Sequence, residues 1–320
     1  MDLSIICVNW NSLKYLQDCL TSVYEHTRGI SFEVIVVDNA SPEGGIDSIK
    51  SCFPQVTIIK SLENVGFASA NNLGCRHAHG EYVLLLNPDT KLIGPTINIL
   101  LGHIKQLPDA GIVGCKLLNT DFSVQISSIQ KFPTILNQML DAEYLRLRWP
   151  HCPLWDIGPL FSPEVKLLGV DVIPGACMLL RRSVFEQVGM LSEEYFMYAE
   201  DLDLNYKVRR AGFKNYYVGE TAIIHHGGKS SSRQKVSQWV TIMQCRAMVR
   251  YFRKTRGRWY QWLYQASQCC MAIARLTILF ALSLFGDMFW DKESLQCSSN
   301  KWKAVLRWAL GRQSFVLQNH

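Results

Sequence analysis

Tyr82-Val-Leu-Leu-Leu-Asn-Pro-Asp89 is the stretch on which the fold turns. Five apolar residues in a row, without polar alternation, predict a strand buried on both faces. Pro88 stiffens the exit from that strand. Asp89 then stands where a carboxylate can hold a divalent metal, although a plain strand-to-loop turn explains the same residues.

The flanking sequence repeats the pattern. Leu3–Val8, Phe32–Val37 and Val56–Ile59 read as three earlier strands. Helical stretches over Ser12–Glu25, around Gly44–Cys52 and over Phe67–Ala78 separate them. Residues 95–107 read as a helix and Ile112–Leu118 as a strand. Residues 120–165 are rich in Pro, Trp and Arg with weak periodicity, which predicts a loop-rich insertion. Val170–Arg181 has strand character, Ser183–Val188 and Tyr198–Ala211 helical character, and Tyr216–Ile224 is a last strand. Buried runs alternating with helices predict an α/β fold: a mostly parallel, Rossmann-like sheet with helices on both faces. Ligands of such sheets bind outside the carboxyl ends of the strands, where Asn9, Asp38 and Asp89 fall.

Length and composition are those of a folded chain with a large core: 320 residues, 48% hydrophobic and 11% aromatic. The net charge of +6 hides an asymmetry. Residues 1–228 carry 18 Lys and Arg against 24 Asp and Glu; residues 229–320 carry 15 against 3. We therefore divide the chain into a domain over 1–230 and a basic, aromatic-rich helical region over 231–320. Cys269–Phe285 is apolar apart from Arg275 and a few hydroxyls, which suits a helix lying in or re-entering a bilayer interface. Membrane contact is expected over residues 240–290, against the alternative of a helical bundle with a solvated basic face. The apolar stretch argues for lipid, and no nucleic-acid partner is expected. The eleven cysteines show no CxxC pair or zinc-like spacing. Several sit inside apolar runs, which fits a reducing cytosol, as does a start without a signal-type segment.

Several positions carry two readings. Asp38-Asn39 is either a turn or a contact to a ribose or base. The segment from Asn64 to Gly74 starts a helix with small residues, which packs close to a sheet or to a diphosphate. Glu200 and Asp201 complement the positive end of a helix, or form a catalytic acid cluster among Tyr195, Phe196 and Tyr198. His225-His226 closes a strand and offers a metal ligand. No glycine follows strand one, where Val8-Asn-Trp-Asn-Ser-Leu-Lys14 stands, so a dinucleotide fingerprint is absent. A metal together with a base is what moves a sugar off a nucleoside diphosphate.

In order along residues 1–230, these segments resemble the inverting family 2 glycosyltransferases of GT-A fold, the group that includes bacterial rhamnosyltransferases. The resemblance is carried by Val8-Asn-Trp-Asn11, Val36-Val-Asp-Asn-Ala-Ser41, Asn64-Val-Gly-Phe-Ala68, Leu85-Leu-Asn-Pro-Asp89, Gly175-Ala-Cys-Met-Leu-Leu-Arg-Arg182, Phe196-Met-Tyr-Ala-Glu-Asp-Leu-Asp203 and His225-His-Gly-Gly228. It implies that Asp38 contacts the base, and that Asn87-Pro-Asp89 is a variant of Asp-x-Asp with Asp89 the main metal carboxylate. It gives His225, ahead of His226, as a second ligand of Mg²⁺ or Mn²⁺. Asp201, with Glu200, supplies the base, and Gly175 and Ala176 line the acceptor side. Asn9, Asn39, Gly66, Asn71 and Asn87 complete the expected nucleotide-sugar side.

Ser192 stands where the family often has Asp, and Lys207 where it often has Arg. The Gln-x-x-Arg-Trp motif of processive synthases is absent; Arg256-Gly-Arg-Trp259 imitates only its end. The implied activity is transfer of one or a few sugars, with dTDP-rhamnose favoured and UDP-hexoses open. The implied acceptor is a lipid-linked saccharide at the cytoplasmic face of the plasma membrane, in cell-surface polysaccharide assembly. The alternatives are a non-catalytic, membrane-associated nucleotide-sugar binder and a metal-dependent nucleotidyltransferase.

Overall fold

The computed structural model describes residues 1–140, 142–227, 236–284 and 292–312. Gly228, Phe285 and the remainder of residues 285–290, which enter the expectations above, lie outside the described residues. The chain divides into two compact units, Met1–Phe132 with Glu143–Ser230, and Pro133–Ala142 with Ser231–His320.

The first unit is built on a nine-stranded sheet. In chain order its strands are β1 (Leu3–Asn9), β2 (Phe32–Asp38), β3 (Thr57–Lys60), β4 (Tyr82–Leu86), β5 (Thr90–Leu92), β6 (Ala110–Leu118), β7 (Leu167–Val170), β8 (Cys177–Arg181) and β9 (Lys214–His225). Spatially they run β3-β2-β1-β4-β8-β6-β9-β5, with β7 added beside β9. β1 to β4 are mutually parallel, and β6 is parallel to β9. β8 runs antiparallel to both β4 and β6, and β5 and β7 run antiparallel to β9.

Strand alternation explains the apolar runs. Ile5, Cys7, Val34, Val36, Leu84 and Leu86 face one layer, containing α1 (Leu13–His26), α2 (Asp47–Cys52) and, beyond α3 (Phe67–Arg76) in sequence, α4 (Thr96–Gln106). Ile6, Ile35, Val83 and Leu85 face the opposite core, which takes in α3. Both faces are thus covered by helices, so the central strands are apolar on both faces, apart from buried polar residues such as Ser4 and Asn9 that find hydrogen-bond partners. Gly74 permits the close approach of α3: a Cβ there would lie 2.6 Å from Ile6 Cγ2. The small residues of that helix answer, at this point, to the sheet.

The chain leaves β1 for β2 and β3 on one side, then returns to place β4 on the other. The carboxyl ends of β1 and β4 therefore flank the point where connections diverge, the place where open α/β sheets form a crevice. Residues 120–165 carry only short helices, α5 (Ile135–Met139) and α6 (Glu143–Arg148), and a 3₁₀ turn over Gly158–Phe161.

Two features differ from the sequence reading. The strand expected over Val170–Arg181 is split into β7 and β8. Between them Val172 forms an isolated bridge with Gln130, and the next backbone donors go to side chains: Ile173 N donates to Asn205 Oδ1 at 2.9 Å and Gly175 N to Asp201 Oδ2 at 3.1 Å. β5 was not foreseen, because three residues are too few to show a period. The elements α7 (Arg182–Gln187) and α8 (Glu200–Arg210) complete the second layer through Phe185, Leu204 and Val208.

The second unit contains α5 and three long helices, α9 (Val236–Arg256), α10 (Arg258–Leu284) and α11 (Lys292–Ala309). Gly257, at φ +89°, breaks the first two apart. Ile242, Met248, Tyr251, Phe252, Tyr264, Ala272, Val305 and Trp308 are buried. α10 is long and apolar enough over Arg258–Ser283 to cross a membrane by length and composition, and most of that stretch is exposed.

Candidate active site

The crevice is assembled by a chain of short polar contacts that begins at β1. Asn9 is fully buried, and its Nδ2 donates to Asp38 Oδ1 at 2.9 Å and to Ser41 Oγ at 3.0 Å. Ser41 Oγ donates to the same Asp38 oxygen at 2.6 Å, and Ser12 Oγ donates to Asn9 Oδ1 at 3.0 Å. The β1–β2 register, which pairs Asn9 with Asp38, makes these contacts local. Two side chains, Asn9 and Ser41, thus fix the Asp38 carboxylate by one of its oxygens, and Ser12 holds Asn9 in place.

The next residue reaches onward. Asn39 Nδ2 donates to Asn64 Oδ1 at 2.8 Å, and Asn39 Oδ1 accepts from Val65 N at 3.0 Å. This holds the loop that ends at Gly66, whose φ is +82°. Gly66 lies so close to the Phe196 backbone that a Cβ would stand 2.5 Å from Phe196 O, and Phe67 N donates to that same oxygen at 2.9 Å. The side-chain amide of Asn71 goes to Phe67 O at 2.9 Å, within its own helix. Asn39 and Gly66 thus help tie the β2 exit to the segment that leads into α8.

That segment turns sharply. Tyr198 and Ala199 both have positive φ, 71° and 62°, a costly conformation for residues with a Cβ. The turn delivers Glu200 and Asp201 to the first turn of α8. Asp201 Oδ2 accepts from Gly175 N, and its Oδ1 from Leu202 N at 2.8 Å. Glu200 is buried, and its Oε2 has no hydrogen-bond partner. Burial, and secondarily the neighbouring Asp201 charge, push Glu200 up to about 8. Burial likewise raises Asp201, against the opposing pull of its backbone donors. The helix dipole alone, the plainer reading of two acids here, would favour both as carboxylates.

The residue after Gly175 continues the chain to β4: Ala176 O accepts from Asn87 N at 3.0 Å. Asn87 Oδ1 is buried and makes no hydrogen bond. Asp89 Oδ1 lies 3.5 Å from His225 Nε2, and the pairing of Thr90 with His225 between β5 and β9 brings them together. Burial works to raise Asp89, but the His225 contacts outweigh it and hold the carboxyl below its ordinary range. The His226 ring lies 5.1 Å from that of Tyr15, and its backbone N donates to Asp89 O at 2.9 Å.

A carboxylate and an imidazole nitrogen 3.5 Å apart can share one ion, since ligand bonds run to about 2.1 Å. The donor set suits Mg²⁺ or Mn²⁺, and the orphaned Asn87 Oδ1 is a further oxygen beside it in sequence. Among the described residues no group of three or more His, Cys, Asp or Glu gathers into a closed metal cage. Any ion here would draw its other ligands from substrate and water.

Three features escaped the sequence reading. Ser192 Oγ donates to buried Asp203 at 2.5 Å, and Lys207 Nζ lies 3.3 Å from Ser192 Oγ. The two departures from the family pattern thus sit in one network, a pairing that spacing along the chain does not show. Gln125, in the irregular insertion, contacts His225. No local signal marks it.

Residues 4–189 match the family model for glycosyl transferase family 2. The N-acetylglucosaminyl-diphospho-decaprenol L-rhamnosyltransferase of Mycobacterium tuberculosis is 30% identical over 247 residues, 73% of this chain and 79% of its own length. The rhamnosyltransferase WbbL of Escherichia coli K12 is 28% identical over 183 residues, 54% of this chain and 66% of its own. Among solved structures, a Pyrobaculum calidifontis mannosyltransferase, in complex with GDP-Man and Mn²⁺, superposes with a TM-score of 0.56 at 18% identity. That match covers 97% of this chain and 86% of the other. The fold is of the GT-A type, and the molecule is a glycosyltransferase. This chain belongs to glycosyl transferase family 2, alongside bacterial rhamnosyltransferases. Membership sets aside the nucleotidyltransferase alternative.

Proposed function

We propose that the protein transfers one rhamnosyl group from dTDP-rhamnose to a hydroxyl of a lipid-linked saccharide, with inversion at the anomeric carbon. The observation that carries this reading is the contrast within the acid pair. Glu200 is buried and pushed up to about 8, so it is protonated at neutral pH. Asp201 is also raised by burial, but it keeps some exposed surface and accepts two backbone N–H groups that pull it back toward its carboxylate form. Asp201 is accordingly the base.

In the reaction, Asp201 takes the proton of the acceptor hydroxyl as that oxygen bonds to the anomeric carbon. The bond from that carbon to the diphosphate breaks on the opposite face, and its electron pair leaves with the nucleotide. No covalent sugar–enzyme intermediate is formed. Asp89 and His225 would hold a divalent Mg²⁺ or Mn²⁺, which would supply positive charge for the departing diphosphate. Asp38, fixed by Asn9 and Ser41, meets the nucleoside. Gly175 and Ala176 border the acceptor.

The donor and acceptor are argued from the rhamnosyltransferase relatives, one of which is named for a decaprenol-linked N-acetylglucosamine diphosphate. The second unit fits such an acceptor. Trp259, Trp262, Ile273, Ile278 and Phe280 are exposed on α10, in a region of strong positive charge. Aromatic and basic residues together favour the headgroup layer of anionic membranes. Arg275 lies 5.9 Å from the Trp302 ring on α11, and α11 carries Lys301, Lys303 and Arg307. A charged helix beside α10 favours lying in the interface over crossing the bilayer. This reading sets the enzyme peripherally on the cytoplasmic face of the plasma membrane.

Donor binding by calorimetry, with and without Mn²⁺, tests the reading. dTDP-rhamnose should bind more tightly than UDP-glucose, UDP-galactose or UDP-N-acetylglucosamine. Tighter binding of a UDP-hexose would overturn the rhamnosyl assignment.

A further inference from the structure

Gln125 belongs to no motif, yet every polar atom of its side chain is spent at the end of β9. The turn over residues 119–123 folds the chain back on β6, where Leu118 bridges Val124. Gln125 N donates to Leu117 O at 2.9 Å. Its Nε2 donates to His225 O at 2.6 Å, to Asn119 Oδ1 at 3.0 Å and to Leu118 O at 3.4 Å. Two of these partners are backbone carbonyls, which only accept, so the amide cannot be flipped. Oε1 must then be the atom 3.0 Å from His225 Nδ1. A carbonyl oxygen there requires Nδ1 to carry a hydrogen.

We propose that Gln125 is a positioning residue that fixes His225 as the Nδ1–H tautomer, so that Nε2 is free to give its lone pair to a cation shared with Asp89. The inference rests on the reading that Asp89 and His225 hold a cation. Free imidazole has two tautomers, and only one offers Nε2 to a metal. Outer partners of this kind are worth about 10–100-fold in metal affinity. The Gln125 Nε2 contact with His225 O also locks the backbone of the residue whose ring it orients. Ring and main chain are thus held by one side chain.

The test uses the full chain in two measurements. The first is ¹⁵N NMR of histidine-labelled, metal-free protein at alkaline pH, with the His225 signals identified by their loss in His225→Asn. Wild type should show a protonated Nδ1 and a bare Nε2. Gln125→Leu should release the ring to a mixture of tautomers. Gln125→Glu keeps an acceptor for Nδ1 while losing the Nε2 contacts, and should retain the tautomer. The second is Mn²⁺ binding by electron paramagnetic resonance with dTDP present. Affinity should fall about 10–100-fold in Gln125→Leu and largely survive in Gln125→Glu, even though Gln125→Glu melts earlier. An unchanged tautomer in Gln125→Leu overturns the proposal. So does a loss of Mn²⁺ affinity in both variants that follows melting temperature alone. A wild type that binds no Mn²⁺ with dTDP overturns the metal reading itself, and a tautomer lost with Mn²⁺ affinity intact overturns only the role given to Gln125.

Discussion

Gly175 donates its backbone N–H to Asp201 Oδ2 at 3.1 Å. Its neighbour Ala176 accepts from Asn87 N at 3.0 Å. Two consecutive residues thus join the acid pair at the head of α8 to the Asn-Pro-Asp turn at the end of β4. The segment before β8, which turns at Gly175 and Ala176, gives its backbone to side chains and loops. Residues far apart in the chain are set against each other by this backbone clamp.

Glu200 predicts a pH-dependent stability. Its folded value of about 8 lies above its ordinary 4.5, chiefly through burial and secondarily through Asp201. Between those values the folded state holds a proton that the unfolded state has released. Stability from this group is therefore full below about pH 4.5 and declines as pH rises toward about 8. Thermal melts of wild type should fall across that window, and Glu200→Gln should flatten the decline. Equal slopes in both proteins would contradict the assignment.

Gly66 predicts a coupled loss of stability and rate. A Cβ there would lie 2.5 Å from Phe196 O at a φ of +82°. Gly66→Ala should lower stability by about 1–3 kcal/mol. It should also lower kcat, because Phe196 begins the turn into the acid pair. A melt and a rate both like wild type would show that the contact relaxes without consequence.

Asp89 and Asp38 should separate by metal. Asp89→Ala should abolish the Mn²⁺-dependent gain in dTDP binding and leave the metal-free affinity close to wild type. Asp38→Ala should weaken dTDP about tenfold with or without Mn²⁺, a loss of about 1.4 kcal/mol. Calorimetry on both variants reads the split, and Asp38→Ala weakening only the metal-dependent part would contradict the division of roles.

The second unit predicts salt-sensitive membrane binding. In flotation, the full chain should rise with vesicles containing phosphatidylglycerol and remain below with phosphatidylcholine alone. Raised salt should weaken binding, since each basic residue near the surface contributes about 1 kcal/mol. Trp259→Ala with Trp262→Ala should reduce flotation further. Equal binding to neutral vesicles would contradict the electrostatic share.

Much of the fold is legible because burial on two faces leaves a direct mark. Tyr82–Leu86 is both the expected and the observed span of β4, and Ile5 and Ile6 serve opposite faces of one strand. β5 and the break before β8 are not legible. One is too short for a period, and the other is caused by Asp201 and Asn205, which arrive from a helix later in the chain. At the site, Asp89 and His225 meet, as do Asn9 and Asp38. The amides of Asn39 and Asn71, by contrast, serve the scaffold, which residue type alone does not reveal. Gln125 was invisible because its effect depends on the end of a strand a hundred residues on.

The most direct test is transfer by Asp201→Asn, measured beside its donor affinity. Asparagine keeps the shape and an oxygen for the Gly175 N–H, but it cannot take a proton. Turnover onto a polyprenyl-diphosphate-linked N-acetylglucosamine should fall about 10²–10⁴-fold, with the Kd for dTDP-rhamnose unchanged. Turnover equal to wild type in this variant would show that the base lies elsewhere.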